Sequence, residues 1–171
     1  MTAVVSDAVD IYTEQTIRSL IGALPDPEIP VISLADLGVI RSVSINGERV
    51  TIGITPTYSG CPATEFIEAS VIETLQQNGY ADVQTKRVLT PAWTTDWISE
   101  EGRQKLTAYG IVPPDKAAES KRALFHQDLA IACPRCSGED TSKVSEFGST
   151  PCKASYKCNS CLEPFEYFKC L

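Results

Sequence analysis

Two cysteine pairs near the end of the chain, "CPRC" at 133–136 and "CNSC" at 158–161, have the spacing of metal knuckles. A two-residue gap lets both thiolates of a pair turn toward one cation while backbone N–H groups stabilise the sulfurs. Two such pairs close a tetrahedral all-sulfur site, the donor set that suits Zn²⁺. Cys133, Cys136, Cys158 and Cys161 are therefore the expected ligands of a Zn²⁺ ion. A site closed by four protein thiolates keeps no open position, so its expected role is structural. The same sulfurs could hold an iron–sulfur cluster. A metal-free reading as two redox pairs lacks the strand-then-helix setting that a redox CxxC uses. Cys152 and Cys170 lie in the same tail. If residues 152–157 pair antiparallel with 164–170, the two fall opposite or diagonal to each other. They form a candidate second thiol pair, with small apolar cover for the ribbon as the alternative.

The seventh cysteine stands apart, in "TPTYSGCPATEF" at 55–66. Cys61 precedes Pro62, which fits the first turn of a helix because its missing N–H costs nothing there. A thiol at a helix N-terminus meets unpaired N–H groups and the positive end of the helix dipole, and both favour the thiolate. As a nucleophile it would need a base, and the chain holds a single histidine, His126. As a metal ligand it has candidate partners in Asp26, Glu28 and Asp36, if the loop that carries them folds over this turn. One thiolate with carboxylates makes a labile site, able to hold iron and release it. The alternatives stay open: Cys61 filling a gap beneath a hairpin, Asp36 capping a turn, Asp26 and Glu28 as solvated loop charges.

These residues need elements to position them. In 7–24, Ile17, Leu20, Ile21 and Leu24 recur at helical spacing, and the helix must end before Pro25. Three prolines in 25–38 predict an ordered loop or short turn there rather than a helix. Residues 39–58 alternate: Val39, Arg41, Val43 and Ile45 share one face, Val50, Ile52 and Ile54 another, with Asn46-Gly47 as the hairpin turn. Ala63, Ile67, Val71 and Leu75 define a second helix capped by Gly79. A strand over 81–89 follows, then a short helix started by Ser99 and ended by Gly110. Trp93 and Trp97 precede that helix as core or interface residues, and their segment is the expected docking surface. The fold class is α+β: a small mixed domain (helix, β-hairpin, helix, strand, helix) at 1–112, a linker at 113–132 and a β-rich zinc ribbon at 133–171.

The chain has 171 residues and a formal net charge of −7. That balance argues against nucleic acid, which needs a basic face. No apolar run reaches the length of a membrane span, and the N-terminus reads as no export signal. The expected compartment is the reducing cytoplasm, where cysteine clusters bind metal more often than they form disulfides. There is no dinucleotide glycine fingerprint and no P-loop, and one histidine cannot supply the Glu-x-x-His pairs of a di-iron centre.

Asp26-Pro27-Glu28, then Asp36-Leu37-Gly38, then Thr57 ahead of Cys61-Pro62, resemble the small iron–sulfur maturation domain of SufT-type and eukaryotic cytosolic assembly proteins. Together with "TPAWTTDWISEEGRQKL" and the cysteine tail, nearly the whole chain resembles the PaaD family (also called PaaJ) of the bacterial phenylacetyl-CoA epoxidase system. The resemblance implies an accessory, non-catalytic role in phenylacetate degradation. It implies help with iron or iron–sulfur cluster insertion, and partners among the other components, oxygenase or iron–sulfur reductase. A purely structural or regulatory subunit is the alternative. A homodimer is left open.

Overall fold

The structure, a computed structural model, describes residues 13–114 and 131–169. Helix α1 (Glu14–Gly22) starts where the Thr13 hydroxyl accepts the Thr16 N–H, and it buries Ile17 and Ile21. The earlier part of the expected helix lies outside the described residues. The next segment departs from expectation, because a one-turn helix, α2 (Leu34–Leu37), forms inside the expected loop. Its cause is local. The Ser33 hydroxyl accepts the Asp36 N–H while the Asp36 carboxylate accepts the Ser33 N–H, a reciprocal cap, and Gly38 ends the turn at φ 67°. A side chain at Gly38 would sit 2.7 Å from the Trp97 carbonyl oxygen, so glycine is required twice over.

Strands β1 (Ile40–Asn46) and β2 (Arg49–Ile54) form the expected hairpin, with Gly47 and Glu48 at its tip. A register shift between Ile40 and Ser42 leaves Arg41 out of the pairing. Its guanidinium lies 3.6 Å from the centre of the Trp97 ring. Helix α3 (Ala63–Gln77) buries Ala63, Ile67, Val71 and Leu75, as the spacing demands. It returns the chain so that β3 (Asp82–Arg87) runs parallel to β2. The three strands lie in the order β1-β2-β3. A 3-10 turn at Thr95–Trp97 leads into α4 (Glu100–Ala108), whose first turn is capped by the Ser99 hydroxyl.

Trp93 is a core residue rather than part of a docking surface. It is 4 % exposed and donates its indole N–H to the Leu37 carbonyl at 2.8 Å. A buried indole needs such an acceptor, and α2 supplies it.

The tail forms β5 (Thr141–Ser145), β6 (Lys153–Cys158) and β7 (Pro164–Phe168), each antiparallel to the next. A fourth strand, β4 (Ile111–Val112), comes from the end of the first domain and pairs parallel with β7, giving the order β4-β7-β6-β5. The two modules therefore share backbone hydrogen bonds. They share a core as well: Cys152 and Phe168 of the ribbon belong to the buried cluster that holds Ile17, Leu37, Val71 and Leu75 of the first domain. Phe168 and Trp93 meet with ring centres 5.8 Å apart. Arg103, itself buried, donates to the carbonyls of Thr95 and Pro114 and fixes the strand exit.

Candidate functional site

The four knuckle sulfurs converge. Those of Cys133 and Cys161 lie 3.6 Å apart, as do those of Cys136 and Cys158. All four fall within 4.8 Å of one another. Bonds of about 2.3 Å to a tetrahedral zinc ion put its sulfurs about 3.8 Å apart, so the group fits such an ion. Both knuckles are built alike. The residue after each second cysteine takes a left-handed conformation, Ser137 at φ 59° and Leu162 at φ 64°. Each first cysteine donates its N–H across the knuckle, Cys133 to the Gly138 carbonyl and Cys158 to the Glu163 carbonyl, both at 2.9 Å. The Cys161 N–H points at the Cys158 sulfur at 3.4 Å. That donor, helped by the Ser160 N–H, draws the Cys158 thiol below its usual range. The backbone of this knuckle thus favours the thiolate at its first cysteine.

The upstream cysteine lies in a different setting. Cys61, Asp26, Glu28, Thr57 and Thr64 line a narrow pocket with a volume of about 20 Å³, whose apolar wall contains Ile29, Ile67 and Phe168. Cys61 stands just before α3, its carbonyl accepting the Thr64 N–H at 3.2 Å. Asp26 is fixed here by two backbone donors, the N–H groups of Glu28 at 2.9 Å and Ile29 at 2.8 Å, both on Oδ1. Burial raises the Asp26 carboxyl above its usual range despite those donors. Glu28 is raised by burial and then by the charge of Asp26, and its carboxylate accepts no hydrogen bond among the described residues.

Asp36 does not line this pocket. It holds the first domain together instead. One oxygen accepts from the Ser33 N–H and hydroxyl and from the Lys105 ammonium at 2.9 Å. The other accepts the Ser99 hydroxyl at 2.8 Å. Its partial burial would raise the carboxyl, but these donors outweigh burial and hold it at about 2. Both oxygens of this acid are thus engaged by the scaffold.

Cys152 keeps company that its sequence position does not suggest. Its expected partner, Cys170, lies outside the described residues. The Cys152 side chain lines the Cys61 pocket. Burial pushes its thiol up, with the Thr150 hydroxyl 3.0 Å away as its polar contact. Tyr58 is a pocket neighbour that sequence reasoning does not single out. Its hydroxyl is buried without a hydrogen-bond partner of normal geometry among the described residues. Burial first, then the neighbouring Cys61, Glu28 and Cys152, push it up to about 12. Its place in the turn leading to Cys61 is the one signal that points to it.

An α+β domain with a cysteine pocket, sharing an edge with a four-thiol ribbon, defines the class: an assembly-type domain fused to a metal ribbon. Residues 14–84 match the family described as iron–sulfur cluster assembly protein, and residues 117–169 match the PaaD zinc beta ribbon domain. The chain is 50% identical over 155 residues to the PaaD-type component of Escherichia coli (strain K12), a putative 1,2-phenylacetyl-CoA epoxidase subunit, covering 91% of this chain and 92% of that protein. It belongs to that family of epoxidase subunits. Its first domain is also 34% identical over 98 residues to an "Fe-S protein maturation auxiliary factor" of Porphyromonas gingivalis (strain ATCC BAA-308 / W83), covering 56% of this chain and 92% of that one. In fold it is similar to a solved domain of unknown function, DUF59, from Bacillus anthracis, with TM-score 0.51 and 24% identity over 54% of this chain and 90% of that one. No helix among the described residues is long and apolar enough to cross a membrane.

Proposed function

We propose that this chain is a maturation factor of a multicomponent phenylacetyl-CoA epoxidase, one that assists insertion of iron or an iron–sulfur cluster into a partner protein. The observation that carries the reading is the pocket at the start of α3, where Cys61 stands with Asp26 and Glu28 on one lining. A thiol with carboxylates is a mixed donor set that suits ferrous iron and holds it less firmly than four thiolates do. Cys133, Cys136, Cys158 and Cys161 hold the resident Zn²⁺, which shapes the ribbon and takes no part in transfer. The working compartment is the cytoplasm, where these thiols stay reduced. The first domain spans 1–112 in this reading and the ribbon 133–171, with β4 as the joint between them.

The test is co-expression of the oxygenase and reductase components with and without this chain, followed by its removal. The partner assembled in its presence is expected to keep its iron and activity after removal, and the partner assembled without it to lack metal. A Cys61→Ser chain that matures the partner fully sinks the transfer role. The second reading is a structural or regulatory subunit, favoured because the Escherichia coli relative is named as part of the epoxidase itself. It predicts that stripping the chain from an assembled complex abolishes activity while the metal stays.

A further inference from the structure

The ribbon looks self-contained in sequence, yet one of its cysteines leaves it. Along β6 and the residue before it, Cys152, Ala154, Tyr156 and Cys158 follow one another on a single face. Ala154, Tyr156 and Cys158 are buried within the ribbon's own core. Cys152, at the end of that row, is buried in the core of the other domain. The register is held there by the Lys169 N–H, which donates to the Cys152 carbonyl at 2.9 Å, and by the pairing of Lys153 with Phe168. The parallel joint between β4 and β7 keeps the whole sheet end against the first domain.

We propose that the pocket between the two modules is a composite cargo site, in which Cys61 and Cys152 together hold a thiophilic divalent metal ion of the ferrous class. The proposal rests on the transfer reading of Cys61 and adds the ribbon as donor of the second sulfur. Both cysteines line the same pocket, and the four-thiol centre closes without either of them. Glu28 lines the same pocket with a carboxylate that is not engaged by hydrogen bonds among the described residues. Asp26 has committed Oδ1 to two N–H groups and keeps Oδ2. The buried Tyr58 hydroxyl, without a partner of normal geometry, lies beside Cys61 and is a donor for a sulfur that has become thiolate. Two sulfurs with carboxylate oxygen form a borderline donor set, suited to Fe²⁺, Co²⁺ or Zn²⁺ rather than to Mg²⁺ or Ca²⁺.

The geometry also separates this site from the ribbon centre. Among the described residues only the four knuckle cysteines converge as a group of three or more metal-ligating side chains. The pocket donors share a lining but are not drawn to one point. An ion must therefore pull the α3 turn and the ribbon end together, at a cost in binding free energy that a preformed site does not carry. Weak capture between two modules is what a delivered ion requires.

The experiment uses the full chain, zinc-loaded and anaerobic, titrated with Co²⁺ as probe. Thiolate-to-cobalt absorption reports sulfur ligation, and metal analysis confirms that zinc stays in the ribbon. A cobalt-loaded ribbon, with four sulfurs per ion, calibrates the band per sulfur. The wild-type chain is expected to take up one further ion with about half that band intensity, as two sulfurs give. Cys61→Ser and Cys152→Ser are each expected to halve the new band and weaken uptake by about tenfold or more. Cys152→Ala, which keeps the apolar packing, should give the same loss with an unchanged far-ultraviolet spectrum. If both Cys152 variants keep the full band while Cys61→Ser loses it, the composite site is wrong and the single-thiol reading of Cys61 survives. If the wild type takes up no cobalt beyond the ribbon, or no variant changes uptake, both fall.

Discussion

The protein carries two sulfur sites built on opposite plans. In the ribbon, four sulfurs lie within 4.8 Å of one another on two matching knuckles, each locked by a left-handed residue and a cross-knuckle N–H. In the pocket, Cys61 and Cys152 come from different modules and share the lining with carboxylates, threonines and apolar side chains. The first is preorganised and saturated, so an ion that enters has little reason to leave. The second draws its sulfurs from two modules and does not bring its donors to one point, so an ion held there as proposed would be held more weakly. Rigidity and donor number, rather than the mere presence of cysteine, separate a resident metal from a transferred one.

The largest expected effect is on the rigid side. Structural zinc sites contribute roughly 10–16 kcal/mol of apparent binding free energy that is also folding free energy. Cys158→Ser, or removal of the metal by a strong chelator, should therefore abolish the ribbon's unfolding transition and its metal content together. The first domain should keep a cooperative transition of its own, because its buried cluster is built from its own residues apart from Cys152 and Phe168. Circular dichroism melts paired with metal analysis read this directly. A ribbon that melts unchanged without metal would remove the contrast between the two sites.

A smaller effect is expected at the joint. Lys153 is 3 % exposed, and its ammonium lies 3.1 Å from Glu166. Glu166 also accepts from the Ser149 N–H and hydroxyl, and its carboxyl sits below its usual range although burial opposes this. Lys153→Met leaves that carboxylate short of its cation. Losing one partner of a buried pair costs about 3–5 kcal/mol, and the partial exposure of Glu166 puts the expectation at about 3 kcal/mol. If the two modules are coupled through β4 and Phe168, the variant should lower the transitions of both. If only the ribbon's transition moves, the joint transmits less than the shared core suggests.

Much of this is legible in the sequence, for reasons that differ by element. The knuckles are readable because their spacing is the chemistry. Helix α3 and strand β2 are readable because one face of each is buried and the periods of 3.6 and 2 record it. Helix α2 is not. Four residues carry no period, three prolines precede it, and what makes it is a single serine–aspartate exchange of hydrogen bonds. The docking of the ribbon is equally hidden. It depends on a two-residue strand, Ile111–Val112, and on a β6 face that continues past the ribbon's own core. Pairing within the hairpin is the one geometry that sequence suggests for Cys152, and it points to Cys170 rather than to Cys61. Its spacing from Ser33 offers Asp36 a capping role that Asp26 lacks, but the larger difference between the two acids is not written in residues 25–38. The difference is the arrival of Ser99 and Lys105 from the α4 end of the domain.

That difference yields the smallest of the three effects and a way to keep the two acids apart. The Asp36 carboxyl is held at about 2 in the folded chain, below the value of about 3.9 for an unfolded aspartate. A carboxyl depressed on folding stabilises the protein above its unfolded value, and the stabilisation is lost as pH falls through the folded one. At about 1.4 kcal/mol for each tenfold change in proton affinity, the wild type should lose about 2 kcal/mol from this group between about pH 5 and pH 2. Asp36→Asn keeps the shape but not the charge. It should cost a similar amount at neutral pH and flatten that part of the acid unfolding profile, as followed by denaturant midpoints across the range. Cobalt uptake by the zinc-loaded chain should be unchanged, because Asp36 does not line the pocket. Asp26→Asn should do the reverse in kind. It weakens uptake while leaving the most acidic part of the profile much as it was, since burial raises rather than lowers that carboxyl. If Asp36→Asn loses cobalt and Asp26→Asn does not, the acid that serves the cargo is the one in the α2 cap, and the division between scaffold and site runs the other way.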